Sequence, residues 1–173
     1  MTRRKRATTT RKDKAQLRAG ITYLIEDERP LKAFRLFTNL VSNTNPGLCI
    51  TRNFPSHISE DFKLKKSSIF WLTRRKGEMT IDPVQLTMIS HIIQEFMAKS
   101  EKSIIILDGI EYLIIQNDFK PVLRFIQHIR DEVLIQGANL LIPLSPEALS
   151  ISEVKLLERE LEILIINQKP EIK

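Results

Sequence analysis

The sequence predicts an α/β domain in three layers, with a mostly parallel sheet of about five strands carrying helices on both faces. Three observations lead there. From Gly20 onward, short apolar runs rich in β-branched residues alternate with segments of helical periodicity, which is the pattern of repeated βα units. The runs are nearly continuous in apolar residues, as strands buried on both faces require. The chain has 173 residues, enough for one domain with a substantial core and too few for two ordinary ones.

Strands are expected over Ile21–Glu26, Leu48–Arg52, Ser68–Thr73, Ser103–Asp108 and Asn139–Leu144. A first helix should open near Pro30, because proline suits the first helical position and Ala33, Leu36, Phe37, Leu40 and Val41 then share one face. Asn45-Pro46-Gly47 ends that segment as a turn. A second helix is expected from Asp82 as cap and Pro83 as first residue, with Leu86, Ile89, Ile93, Phe96 and Met97 as its stripe. Asp118 precedes a third, carrying Val122, Phe125, Ile126, Ile129 and Val133. The box-like Ser150-Ile151-Ser152-Glu153 starts a last helix with Val154, Leu157, Leu161 and Leu164. Residues 53–67 read as an irregular connection containing Lys63, Lys65 and Lys66. The domain is expected over residues 21–166, between a basic tail at 1–20 and a short tail at 167–173.

Charge is concentrated at one end. Arg3, Arg4, Lys5, Arg6, Arg11, Lys12, Lys14 and Arg18 face Asp13 alone within residues 1–20, a balance of +7; with +6 for the whole chain, −1 remains for residues 21–173. A segment so cationic and so poor in apolar residues cannot offset its ordering entropy and is expected to be disordered when free. It could neutralise phosphates of DNA or RNA, or face an anionic membrane. It contains no Tyr, Phe or Trp, so stacking on bases is not expected of it. Cys49 is the only cysteine and lies in an apolar run, which points to a buried thiol. No run reaches the roughly 18 apolar residues of a membrane helix, and a reduced, cytoplasmic setting is expected.

The segments Pro46-Gly47-Leu48-Cys49-Ile50-Thr51-Arg52, Ile81-Asp82-Pro83, Ile105-Ile106-Leu107-Asp108-Gly109-Ile110-Glu111-Tyr112-Leu113 and Leu141-Ile142-Pro143-Leu144-Ser145-Pro146 resemble, in that order, an archaeal family known only as a domain of unknown function, number eight-thirty-five. The resemblance spans about residues 21–164 and implies no settled activity. At a deeper level the apolar run ending in Asp108 is similar to the Walker B strand of RecA/KaiC-type ATPases, whose carboxylate holds magnesium. The matching phosphate loop is absent, because none of Gly20, Gly47, Gly77, Gly109 and Gly137 is followed by Lys. In its place stands Glu26-Asp27-Glu28-Arg29-Pro30, whose carboxylates would repel a triphosphate; they read as simple helix caps in preference to metal ligands. No nucleotide or other cofactor is therefore implied.

Ligands of parallel α/β sheets sit beyond the carboxyl ends of the strands, which here offer Asp27, Arg52, Arg74, Arg75, Asp108, Glu111 and Ser145. Such a mixture could bind an acidic peptide, a phosphate or a partner's loop, or could be a structural ion-pair network. His57, His91 and His128 are scattered and read as surface residues. No G-x-S-x-G elbow and no metal-type His/Cys spacing is present. The expected function is a non-enzymatic interaction or regulatory module with an unidentified protein partner. The alternative is a nucleic-acid-associated protein anchored by residues 1–20. Homo-oligomerisation is left open.

Overall fold

The computed structural model describes the backbone of residues 7–10 together with residues 17–64 and 67–167. In chain order the elements are β1 (Ala7–Thr10), β2 (Ile21–Glu26), α1 (Leu31–Leu40), β3 (Gly47–Thr51), α2 (Pro55–Phe62), β4 (Ser67–Leu72), β5 (Thr80–Ile81), α3 (Leu86–Ala98), β6 (Ile104–Asp108), α4 (Ile110–Asn117), α5 (Phe119–Gln136), β7 (Asn139–Leu144), α6 (Ile151–Glu160) and β8 (Glu162–Asn167). The strands lie in the order β1-β8-β2-β7-β6-β3-β4-β5, and every pairing is parallel. The five expected strands are all present, each within one residue of its expected bounds. The sheet is nonetheless larger than about five strands, since β5 and β8 bring it to seven and β1 adds an eighth.

The apolar runs are continuous because each strand feeds two cores. Leu48, Ile50, Ile105, Leu107, Leu140 and Ile142 point into a layer closed by α3, α4, α5 and α6, where Ile89, Ile93, Leu113, Phe125, Ile129 and Leu157 meet them. Cys49, Ile104, Ile106, Leu141, Tyr23 and Ile25 point the other way, onto Ala33, Phe34 and Phe37 of α1 and Ile58 of α2. Successive strand residues alternate faces, so a strand covered on both sides must be apolar at every position. The rings of Phe34 and Phe62 stack at 5.1 Å and tie α1 to α2.

Several expectations are corrected. The expected irregular connection over residues 53–67 contains a helix, with Pro55 in the first turn of α2 behind Phe54, a position where a missing N–H is harmless; Lys65 and Lys66 lie outside the described residues. The second expected helix begins at Leu86, not at Pro83. Asp82 instead closes a turn, its Oδ1 accepting from Val84 N–H at 3.1 Å and its carbonyl from Gln85 N–H at 3.0 Å; a short polar side chain competes for the backbone in this way. Ile110–Asn117 forms an extra helix before the one that follows Asp118. The last helix stops at Glu160, and Leu161 is already extended at φ −114° and ψ 157°. Leu164 is buried from a strand, β8, whose Ile163, Ile165 and Ile166 are β-branched and favour extended backbone.

The basic tail also needs revision. Ala7–Thr10 run parallel to β8 with Ala7 opposite Leu164 and Thr10 opposite Asn167, so an open sheet edge is paired by a threonine-rich segment. Arg18 belongs to the domain: its guanidinium is ion-paired with Glu162, its backbone N–H donates to the Tyr23 hydroxyl at 3.2 Å, and its carbonyl accepts from Asn139 Nδ2 at 2.6 Å. Arg3, Arg4, Lys5, Arg6, Arg11, Lys12 and Lys14 lie outside the described residues.

The capping box expected at Ser150 is present in both halves, with Ser150 Oγ accepting from Glu153 N–H and Glu153 accepting from Ser150 N–H. Ser150→Ala should lower stability by about 1 kcal/mol, read as a fall of about 2–4 °C in melting temperature for a chain of this size. An unchanged melting curve would show that α6 is held by Leu157 packing alone.

Candidate functional site

The loops that leave β2, β3, β6 and β7 meet at the carboxyl ends of these adjacent strands. They enclose a cleft of about 260 Å³. Of the seven residues expected at this edge, Asp27, Arg52, Asp108, Glu111 and Ser145 line it. Arg74 and Arg75 do not: they follow β4, one strand further out, and are exposed in the turn towards β5. Glu28, expected in the segment that replaces the phosphate loop, also faces the cleft, as do Asn53 and Tyr112, which the sequence reading missed. Asn53 had a signal in principle, because once β3 and β6 are neighbours Thr51 stands opposite Asp108 and the next turn of chain must close over it.

Asp108 is the buried centre of the site, 8% exposed. Its Oδ2 accepts from Thr51 Oγ1 at 2.6 Å and from Asn53 Nδ2 at 2.8 Å. Thr51 Oγ1 in turn accepts from Asn53 N–H at 3.0 Å. Burial raises the Asp108 pKa above the ordinary 3.8, the two hydrogen bonds pull it down, and the nearby Glu111 charge pushes it up, with burial prevailing. The same burial lifts the Cys49 thiol well above its usual range, with a smaller push from Asp108. Cys49 is fully buried and is not a nucleophile here.

The other groups are turned onto the protein itself. Glu111 Oε1 accepts from Ser145 N–H at 2.7 Å and closes the end of β7. Asp27 Oδ2 accepts from Lys32 N–H at 3.1 Å in the first turn of α1, a backbone donor that an incoming anion would otherwise use. The Arg52 guanidinium lies 4.4 Å from the centroid of the Tyr112 ring and donates to the Leu72 carbonyl at 3.1 Å. Gly109, at φ +122°, lets the chain pass from Asp108 into α4 with no side chain in the way.

His91 and His128 are exposed on helices, against Glu95 and Gln94 respectively, and His57 sits edge-on to Phe54. Among the described residues, no three His, Cys, Asp or Glu side chains are placed to hold a metal ion. Among the same residues, no helix is long and apolar enough to cross a membrane.

Fold and site together define a class: an all-parallel α/β domain with a polar cleft at the carboxyl ends of its strands, most of whose groups are bonded to one another. Within that class the chain belongs to the family described as protein of unknown function, DUF835, whose model matches residues 26–161. No curated protein matches it. Among solved structures it is similar to a protein of Pyrococcus horikoshii OT3, described only as the subject of a structural study. The TM-score is 0.61 over 87% of this chain and 83% of that one, at 14% identity. That likeness concerns the fold alone.

Proposed function

We propose that this chain is a non-enzymatic interaction module, a RecA/KaiC-like scaffold whose nucleotide site is filled by its own side chains and whose cleft receives a loop of a protein partner. The scaffold reading is supported by topology. β2 and β6 are separated only by β7, so the loop after β2 and Asp108 face one cleft, as a phosphate loop and a magnesium carboxylate would have to.

The observation that carries the loss of nucleotide binding is the Asp27 carboxylate on Lys32 N–H. It takes a helix-start donor that phosphate requires and puts a negative charge beside it. Asp108 Oδ2 likewise accepts from Thr51 and Asn53.

The charge of the cleft selects the partner's chemistry. Asp27, Glu28, Asp108 and Glu111 line it against Arg52 alone, and Arg52 is already held by Tyr112 and Leu72. A loop that donates hydrogen bonds and carries Lys or Arg is complementary to this surface, whereas an acidic one is repelled. The test compares a Gly-Lys-Arg-Gly peptide with its Gly-Glu-Asp-Gly counterpart, read by NMR at the amides of Asn53, Gly109 and Ser145. The basic peptide should shift these three resonances in a salt-dependent way and the acidic one should not. Shifts from the acidic peptide, or from neither, would sink this reading.

A further inference from the structure

A second surface lies outside the cleft, where β3 and β4 end side by side. Thr51 of β3 is in register with Trp71 of β4, and the chain leaving β3 turns back so that Trp71 Nε1 donates to the Arg52 carbonyl at 3.2 Å. Two residues later Phe54 packs edge-on against Trp71, with ring centroids 5.2 Å apart at 81°. Phe54 is 49% exposed, so about half of its surface is open to solvent. Trp71 N–H also donates to the Met79 carbonyl, which brings Met79, 46% exposed, to the same edge.

The same end of the sheet holds three consecutive exposed cations. Arg74, Arg75 and Lys76 leave β4 in the turn towards β5. Among the described residues none of their side chains has a carboxylate partner. Glu78 is the single acidic residue of that turn, in a stretch of chain, residues 21–173, whose net charge is only −1. Three unpaired cations in one turn beside two exposed or half-exposed aromatic rings are not explained by packing.

We propose that this surface binds single-stranded nucleic acid, with bases stacking on Phe54 and Trp71 and phosphates held by Arg74, Arg75 and Lys76. The combination distinguishes this occupant from others. An acidic peptide would use the cations but not the rings, and an apolar peptide would use the rings but not the cations. A single strand presents both unpaired base faces and a phosphate for each base. A duplex offers phosphates while its bases remain stacked on each other. This site is separate from the cleft and does not depend on the interaction reading given for it. It also differs from residues 1–20, which carry cations without aromatic rings.

Trp71 is the only tryptophan in the chain, so its fluorescence reports on this surface alone. The full chain is titrated with an oligothymidine single strand and with a duplex of equal length across a salt series. The single strand should quench Trp71 emission and the duplex should leave it nearly unchanged. Phe54→Ala should weaken single-strand binding about tenfold, within the range expected for one base–aromatic stack. The combined Arg74→Ser, Arg75→Ser, Lys76→Ser variant alters only an exposed turn, so its fold is not at risk. It should lower the slope of log K against log salt by about 2, as expected for three phosphate contacts on a single strand. Binding that leaves Trp71 emission and both variants unaffected would assign the affinity to residues 1–20 and overturn the proposal. So would absence of binding at low salt, or quenching by an acidic peptide in place of the oligonucleotide.

Discussion

Leu107→Ala is expected to lower the free energy of unfolding by about 2–5 kcal/mol, while Asp108→Asn, one residue on, changes it by less than about 1 kcal/mol. Leu107 is fully buried among the side chains that join β6 to the helical layer. Truncating it leaves a cavity that neighbours anchored in a sheet cannot fill. Asp108 is buried too, but both of its hydrogen bonds reach one oxygen, from Thr51 and Asn53, and an asparagine carbonyl placed there accepts them equally. Asparagine also removes the burial penalty of the charge.

The sign of the pH effect separates these cases. The Asp108 pKa is raised on folding, so the folded state holds its proton more tightly, and the stabilising contribution is complete below the ordinary aspartate value of 3.8. It is lost as pH rises through the raised folded value. The stability of the native chain relative to Asp108→Asn should therefore fall from acid towards neutral pH. Chemical denaturation of both variants at several pH values checks this. If Asp108→Asn were the more damaging change at every pH, ionised Asp108 would be holding the end of the sheet together.

Gly109→Ala is expected to be nearly as severe, although it adds a single methyl group. At φ +122° a side chain costs about 1–3 kcal/mol in the backbone alone. A Cβ there would also lie 3.1 Å from Arg52 Cβ and 3.2 Å from Leu72 Cδ1, tighter than ordinary contact. Relief would tilt the start of α4, which carries Glu111 to Ser145 and Tyr112 beneath Arg52. Lost stability should thus be accompanied by faster hydrogen exchange at the Ser145 amide. A variant with native stability and native protection there would show that α4 can move without disturbing the cleft.

The parts of the fold that were legible in the sequence are those where burial dictates composition. Ile21–Glu26 and Asn139–Leu144 match β2 and β7 in full because strands covered on both faces admit little else. What escaped reading depends on partners distant in sequence. Thr80–Ile81 is too short for a periodic signal and is a strand only through its pairing with Trp71 and Leu72. Glu162–Asn167 continues the apolar spacing of α6, and the neighbouring strand β2 decides that it extends.

The candidate site divides along the same line. Strand-end residues could be named from the strand boundaries, and five of them converge. Arg74 and Arg75 could not be separated from them without the strand order, which places β4 beyond β3 and away from the cleft. Asn53 and Tyr112 lie on the segments that leave β3 and β6, where no periodicity announces which side chain turns inward.

In the proposed reading the carboxylates of the β2–α1 loop occupy the place of a phosphate. Titration calorimetry of the full chain with Mg-ATP tests it most directly. With Asp27 on Lys32 N–H and Asp108 bound by Thr51 and Asn53, the expected result is no heat of binding at millimolar nucleotide. A saturable isotherm with a micromolar Kd, abolished by Asp108→Asn, would contradict it and restore Asp108 as a magnesium ligand.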